Sequence, residues 1–321
     1  MKKSTKIWLV TATLLIIAGI ILFVGVMMNN KWDFLKLSTD DSQTVEHTFS
    51  ESFDNISIDV ATSVVKIYPS SDGVCKVKCK ESEKVKHDVK VENNTLYVKL
   101  TDERKWYEHI GIHLFSYEVS VFLPETQYKE LKIKDDTGLI EIANELTFDI
   151  IDVHTSTGGI NNYASAKETI KLKSSTGSIT VDSISAKDID LSVTTGKIVA
   201  KSIKCDGNIK VNVSTGKTSL TDVECGTLYS DGNTGGIDLK NVIASGIMNI
   251  ERSTGSVNFE KCDASELFIE TDTGDVKGSL LSEKVFITET DTGSVKVPKS
   301  VNGGRCEIST DTGDIIITIE Q

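Results

Sequence analysis

Basic side chains are in the minority in this chain: 35 lysines and arginines face 47 acidic residues, a net charge of −12. All three charges in the first thirty residues are lysines, so the remainder carries 32 basic against 47 acidic groups. Nucleic-acid binders need a basic footprint, and this chain lacks one. Proline occurs 3 times and aromatic residues make up 6% of the sequence, which fits neither a proline-rich disordered tail nor an aromatic-rich carbohydrate-binding module. Six cysteines in 321 residues are too few for a disulfide scaffold, and a chain of this length needs none. Arginine is confined to Arg104, Arg252 and Arg305. What remains is an acidic, β-rich folded body.

One long apolar run stands apart. Residues 7–28 carry no formal charge, and as a helix they would span ~33 Å at 1.5 Å per residue, enough to cross a bilayer. Lys2, Lys3 and Lys6 precede the run, so the positive-inside rule predicts a cytoplasmic segment 1–6, a transmembrane anchor at 7–28 and an extracytoplasmic remainder. A cleaved signal peptide would have a shorter apolar core and a small-residue cleavage site, whereas Met27-Met28-Asn29-Asn30 follows here. No cysteine at the end of the run offers a lipid attachment point.

The rest is organised by repetition. Thr-Gly recurs ten times, at Thr137, Thr157, Thr176, Thr195, Thr215, Thr234, Thr254, Thr273, Thr292 and Thr312, always 19 or 20 residues apart. Apolar residues alternate on both sides of each pair, as in Ile170-x-Leu172 before Thr176 and Ile179-x-Val181 after it. Their parity shifts across Thr-Gly-x, so the chain bends there, and glycine supplies the positive φ that such a bend uses. A third apolar column recurs eight residues after the threonine, at Ile184, Ile203, Val223, Val242, Cys262 and Leu281. Short strands in 19–20-residue coils, stacked ~4.8 Å apart, predict an all-β parallel β-solenoid of about ten coils, a rod of roughly 48 Å over 134–321. Helices are excluded by the missing 3.6-residue stripe, and propeller blades need twice this period. Residues 44–133 are less regular and predict an N-terminal β cap, with a Thr62-Ser63 corner, strands at 74–80, 85–91 and 95–100, and a hairpin turn at Asn93-Asn94. Residues 29–43 then form a juxtamembrane stalk.

The Ser-Thr-Gly-x-Ile units at 156–160 and 175–179, the later Asp-Thr-Gly variants and the opening Phe53-Asp-Asn-Ile-Ser-Ile-Asp-Val60 resemble the putative-adhesin family of β-strand-repeat proteins of bacterial envelopes. In layout the chain is similar to the LiaG-like, membrane-anchored group, and the resemblance covers roughly residues 44–321. It implies a β-helical extracytoplasmic domain with an unsettled role at the cell envelope or in its stress response, and no catalytic residues.

Several motifs invite chemical readings. Asp-Thr-Gly at Asp136, Asp272, Asp291 and Asp311 is the tripeptide of aspartic proteases, yet here it is one variant of a repeat otherwise written Ser-Thr-Gly. If the Thr-Gly corners align, Asp272, Asp291 and Asp311 form a column of carboxylates with Asp275 and Asp314 beside it, a solvated acidic face or a place for Ca²⁺. No other cofactor is implied. Cys75-x₃-Cys79 and His109-x₃-His113 imitate zinc spacing, but the pairs are too far apart for a finger, and no metal site is assigned. Cys205 and Cys225 each lie ten residues after a threonine in consecutive coils, a candidate disulfide or two core thiols. Trp106 and Tyr107, in a loop at 101–116, either close the cap over the first coil or face a ligand or lipid. Finally, Ile315, Ile317 and Ile319 form the last strand in the chain, a candidate docking edge at the distal tip for an envelope component or membrane protein. Together these features predict a membrane-anchored, non-enzymatic interaction module. The alternatives are a polysaccharide-acting β-helix enzyme, by analogy of fold alone, and a purely structural surface rod.

Overall fold

The computed structural model describes residues 3–33, 42–109 and 117–320. The apolar run forms a helix, α1 (Lys3–Asn29), long and apolar enough to cross a membrane, with Trp8, Leu15 and Leu22 exposed. Lys2 and most of the expected stalk, 34–41, lie outside the described residues.

All twenty strands among the described residues belong to one sheet. The segment after the helix begins with β1 (Gln43–Phe49), β2 (Asn55–Pro69), β3 (Cys75–Glu81), β4 (Val85–Glu92) and β5 (Thr95–Asp102). Asn93 and Asn94 both take positive φ, 49° and 61°, as a two-residue hairpin turn between β4 and β5 requires. Then come β6 (Tyr117–Leu123), β7 (Gln127–Thr137) and β8 (Ile140–Ile142). β2 is the first coil of the rod: it runs parallel to β7 and β8, with Thr62 opposite Thr137 and Val65 opposite Ile140. Its other edge takes β5 and β6 in parallel, and β3 joins β6 and β1 by antiparallel pairing. The proximal coil is therefore capped by strands that leave the repeat register.

From there the coils stack in sequence through β9 (Thr147–Thr157), β10 (Ile160–Asn162), β11 (Ser165–Asp182), β12 (Ser185–Ala186), β13 (Asp188–Thr234) and β14 (Ile237–Thr254). Like sits on like: Leu172 faces Leu191, Thr176 faces Thr195 and Ile179 faces Ile198. At the corners glycine is required twice over. Gly196 has φ 147°, and a Cβ there would lie 1.6 Å from the carbonyl oxygen of Gly177 in the coil beneath. A second corner lies seven residues after Thr176, Thr195, Thr215, Thr234 and Thr254, where Ser183, Ser202, Asp222, Asn241 and Lys261 adopt left-handed backbone with φ between 51° and 57°. Mostly short polar residues occupy it, the non-glycine types that tolerate that region best. A single hydrophobic core runs from Phe53 to Ile317.

The distal end departs from chain order. It comprises β15 (Val257–Thr273), β16 (Val276–Leu280), β17 (Lys284–Thr292), β18 (Val295–Lys296), β19 (Gly304–Thr312) and β20 (Ile315–Ile319). β15 pairs with β19, placing Thr273 opposite Thr312, and β19 pairs on its other side with β17, placing Thr312 opposite Thr292. β20 likewise lies between β16 and β18. The chain thus skips one coil position after Leu280, builds the outermost coil, and returns to fill the gap with its last coil. Local chemistry shows how. The third inward column ends at Leu280, opposite Cys262, and not at Leu281, which is exposed, so this coil is one residue short at its second corner. On the way back, Gly303 and Gly304 pass so close to the carbonyls of Glu283 and Ser265 that a Cβ on either would sit 1.8 Å away.

Candidate functional site

The swapped last coil corrects the reading of the distal tip. Ile315 is 0% exposed and Ile317 is buried, because β20 has a coil on each side; Ile319 packs against the core. The end of the rod is β17 and β18 instead. There Ile287 is 49% exposed, Val285 and Val295 are exposed beside it, and Val301 in the returning loop is 89% exposed. Among the described residues β17 pairs with β19 alone, so its outer edge presents unpaired backbone groups next to apolar side chains.

The same swap reorders the aspartates. Asp311 lies between Asp272 and Asp291, and Asp314 between Asp275 and Ser294. Oδ1 of Asp275 accepts the Asp314 amide at 2.9 Å, and Oδ1 of Asp314 accepts the Ser294 amide and hydroxyl, each at 2.9 Å. Oδ2 of Asp275 takes Nζ of Lys277 at 2.6 Å. Lys277 and then the Asp314 amide hold the Asp275 carboxyl below its usual range, and the Ser294 donors do so for Asp314. Asp275 and Asp314 are thus links in a corner ladder, each carboxylate capping the amide of the next coil out.

A second ladder runs two residues before the corner threonine. Hydroxyls of Ser174, Thr271, Thr310 and Thr290 donate to the carbonyls of Gly158, Gly255, Gly274 and Gly313, at 3.0, 3.1, 3.1 and 3.0 Å, each in the coil beneath. In the first Thr-Gly coil Asp135 holds this place. It is 0% exposed, its Oδ1 accepts the Thr137 amide at 3.3 Å, and its Oδ2 has no partner. Burial pushes its carboxyl up to about 6. Arg252 holds the place further along and points into the core, where Nη2 donates to Ser230 Oγ at 2.7 Å and Nη1 to the Glu251 carbonyl at 2.6 Å. Gly232 leaves the space: a Cβ there would lie 3.1 Å from Nη1. Burial lowers the guanidinium to about 10.

Cys205 and Cys225 are free, buried thiols, not a disulfide. They belong to an inward column of small residues in which Ala186 faces Cys205 and Cys225 faces Ala244. Cys205 Sγ donates to the Lys187 carbonyl at 3.1 Å, and burial pushes the two thiols up to about 11 and 12, so neither is primed to oxidise. Trp106 is 78% exposed in a short 3₁₀ turn (Trp106–His109), edge-on to Tyr107 with centroids 5.9 Å apart. They do not cover the first coil. Phe53, Tyr128 and Phe148 instead stack ring on ring in successive coils, at 5.9 and 5.8 Å, and the first coil is covered by the cap strands β5 and β6. His113 and Phe115 lie outside the described residues.

A parallel β-solenoid with glycine corners, a strand cap on its first coil and an apolar helix before it defines the class of this protein. Residues 53–212 match the family model of Toastrack DUF4097. No curated protein matches the chain significantly. Solved structures similar to it include a putative adhesin from Parabacteroides distasonis ATCC 8503, at 11% identity and TM-score 0.48, covering 84% of this chain and 98% of that one. Another putative adhesin, from Bacteroides fragilis NCTC 9343, is 12% identical with TM-score 0.44, covering 88% of this chain and 99% of that one. A putative lipid binding protein from Parabacteroides distasonis ATCC 8503 is 18% identical with TM-score 0.47, covering 75% of this chain and 95% of that one.

Proposed function

We propose that this chain is a non-enzymatic interaction module of the bacterial cell envelope. α1 anchors it in the membrane, the rod stands outside the cell, and an envelope component docks on the outermost coil. One observation carries the reading: among the described residues β17 and β18 leave an open strand edge, with Val285, Ile287 and Val295 exposed beside it. Such an edge suits an extended segment of another envelope protein, which gains main-chain hydrogen bonds and side-chain contacts together. The resemblance adds the setting, an envelope under stress. The enzyme alternative needs acids with shifted pKa converging in a groove. Asp135, the carboxyl that burial raises, is enclosed in the core, out of reach of a polysaccharide.

The test is cross-linking of the full chain in intact cells. Ile287→Lys with Val295→Lys should abolish partner capture, while Ile150→Lys, at an exposed site in β9, should keep it; equal capture by both overturns the docking site. Protease added to protoplasts should digest residues 31–321, and protection of that segment overturns the topology.

A further inference from the structure

Within the cap, three potential ligand residues converge on one point. One ligand atom from each of Cys79, Glu81 and His87 lies within 4.8 Å of the others, and all three residues are buried. Cys79 and Glu81 come from the inward face of β3, and His87 from the start of β4, across the turn at 82–84. His87 is held from two directions: its amide donates to Glu81 Oε1 at 2.6 Å, and its Nδ1 lies 3.2 Å from the same oxygen. Nδ1 is thus the ring nitrogen turned to the cluster, and a cation seated there would take its lone pair and leave the proton on Nε2. Nε2 is buried with no partner among the described residues, on a side chain 0% exposed. Buried polar atoms left so are rare. His47 Nε2 is orphaned too, on β1, whose His47 faces Val77, two residues from Cys79.

We propose that Cys79, Glu81 and His87 form a site for a zinc-type transition-metal ion, with His47 the next donor in reach. Thiolate, imidazole and carboxylate together are a donor set for Zn²⁺, not for Ca²⁺ or Mg²⁺. The charges agree as well: a thiolate, a carboxylate and a divalent cation sum to zero, the state that a buried site favours. Glu81 is only 6% exposed and meets the His87 ring with one oxygen, leaving the other for an ion. Loading the ion forms an S–metal bond and breaks the S–H bond of Cys79, and the proton leaves to solvent. The ion would tie β3 to β4, and through His47 to β1, the strand nearest the membrane helix in the chain.

The site is tested on the untagged full chain in detergent, stripped of metal and titrated with Zn²⁺ alone. One equivalent should bind, with release of a proton, and Co²⁺ in its place should show a thiolate-to-cobalt charge-transfer band. Cys79→Ser and His87→Gln should each weaken binding at least tenfold and remove or shift that band. Cys75→Ser, two inward positions back along β3, should leave both unchanged. Absence of saturable binding to the folded wild-type chain, or equal binding by Cys79→Ser, overturns the proposal. Should Cys79→Ser fail to fold, X-ray absorption at the zinc edge of the wild-type complex decides: one sulfur neighbour at roughly 2.3 Å supports the site, and a shell of oxygen and nitrogen alone refutes it.

Discussion

The amide of Asp314 donates to Oδ1 of Asp275 at 2.9 Å, across a gap of 39 residues, two repeats instead of one. This bond joins the last coil in the chain to the coil beneath it, and the coil between them in sequence lies outside both. The rod is therefore closed by a return stroke: β19 and β20 enter a slot that β15, β16, β17 and β18 have already lined. Lys284, buried at the start of β17, holds the outermost coil in place by donating to Asp263 and Ser282.

Paired cysteines test this order directly. Ser309 faces Glu270 on one side and Glu289 on the other. Glu270→Cys with Ser309→Cys should oxidise to a disulfide, and so should Glu289→Cys with Ser309→Cys. Glu270→Cys with Glu289→Cys should not, since two coil spacings, ~9.6 Å, exceed disulfide reach. Coils stacked in chain order would link the last pair and not the first. Non-reducing gel mobility reads the outcome.

Burial makes a second distinction. Ile317→Asp places a carboxylate in the core and should lower stability by about 3 kcal/mol or more, whereas Ile287→Asp, half exposed on the outermost coil, should change it by less than about 1 kcal/mol. Urea midpoints of the two variants check this. An exposed C-terminal strand would reverse the ranking or erase it.

At the corners, Gly196→Val and Gly216→Val should lower the melting temperature sharply or prevent folding. A Cβ at either position meets a backbone carbonyl oxygen 1.6 Å away in addition to the strained φ. Ser175→Asp, at an exposed position, should shift the midpoint by only a few degrees. Calorimetry of the variants side by side distinguishes the two classes.

Asp135 predicts a pH dependence. Its carboxyl titrates at about 6 in the folded chain against an ordinary 3.8, so the folded state holds the proton more tightly. Its contribution to stability is fully present below pH ~4 and is lost as pH rises through 6, a difference of roughly 3 kcal/mol at 1.36 kcal/mol per unit. Asp135→Ser supplies the hydroxyl found elsewhere in that ladder. It should stabilise the chain relative to wild type at pH 7 and lose most of that advantage at pH 4. Denaturation at the two pH values measures the difference; a constant gap would show that Asp135 is not the titrating group.

The repeat period, the alternation around Thr-Gly and the register change across it are local properties, and they were enough to specify coil, corner and core face. Thr176 opposite Thr195 and Leu172 opposite Leu191 follow from spacing alone, because parallel stacking puts equal positions in one column. The cap hairpin was legible for the same reason, through Asn93-Asn94. Stacking order was not. Any coil of this repeat fits on any other, so the pattern is equally satisfied by β17 or β19 on top of β15. The signals that break the tie are small: a coil one residue short at Leu280, and the Gly303-Gly304 pair that lets the chain pass Ser265 and Glu283. Their meaning appears only once backbones are brought within van der Waals contact. The cluster of Cys79, Glu81 and His87 was hidden for a related reason, since its members follow no known motif spacing and meet only because β4 folds back beside the end of β3. Sequence periodicity determined what one coil looks like and how it meets a neighbour. Tertiary packing decided which neighbour, because that choice rests on non-local contacts and chain threading, which a repeating pattern cannot encode.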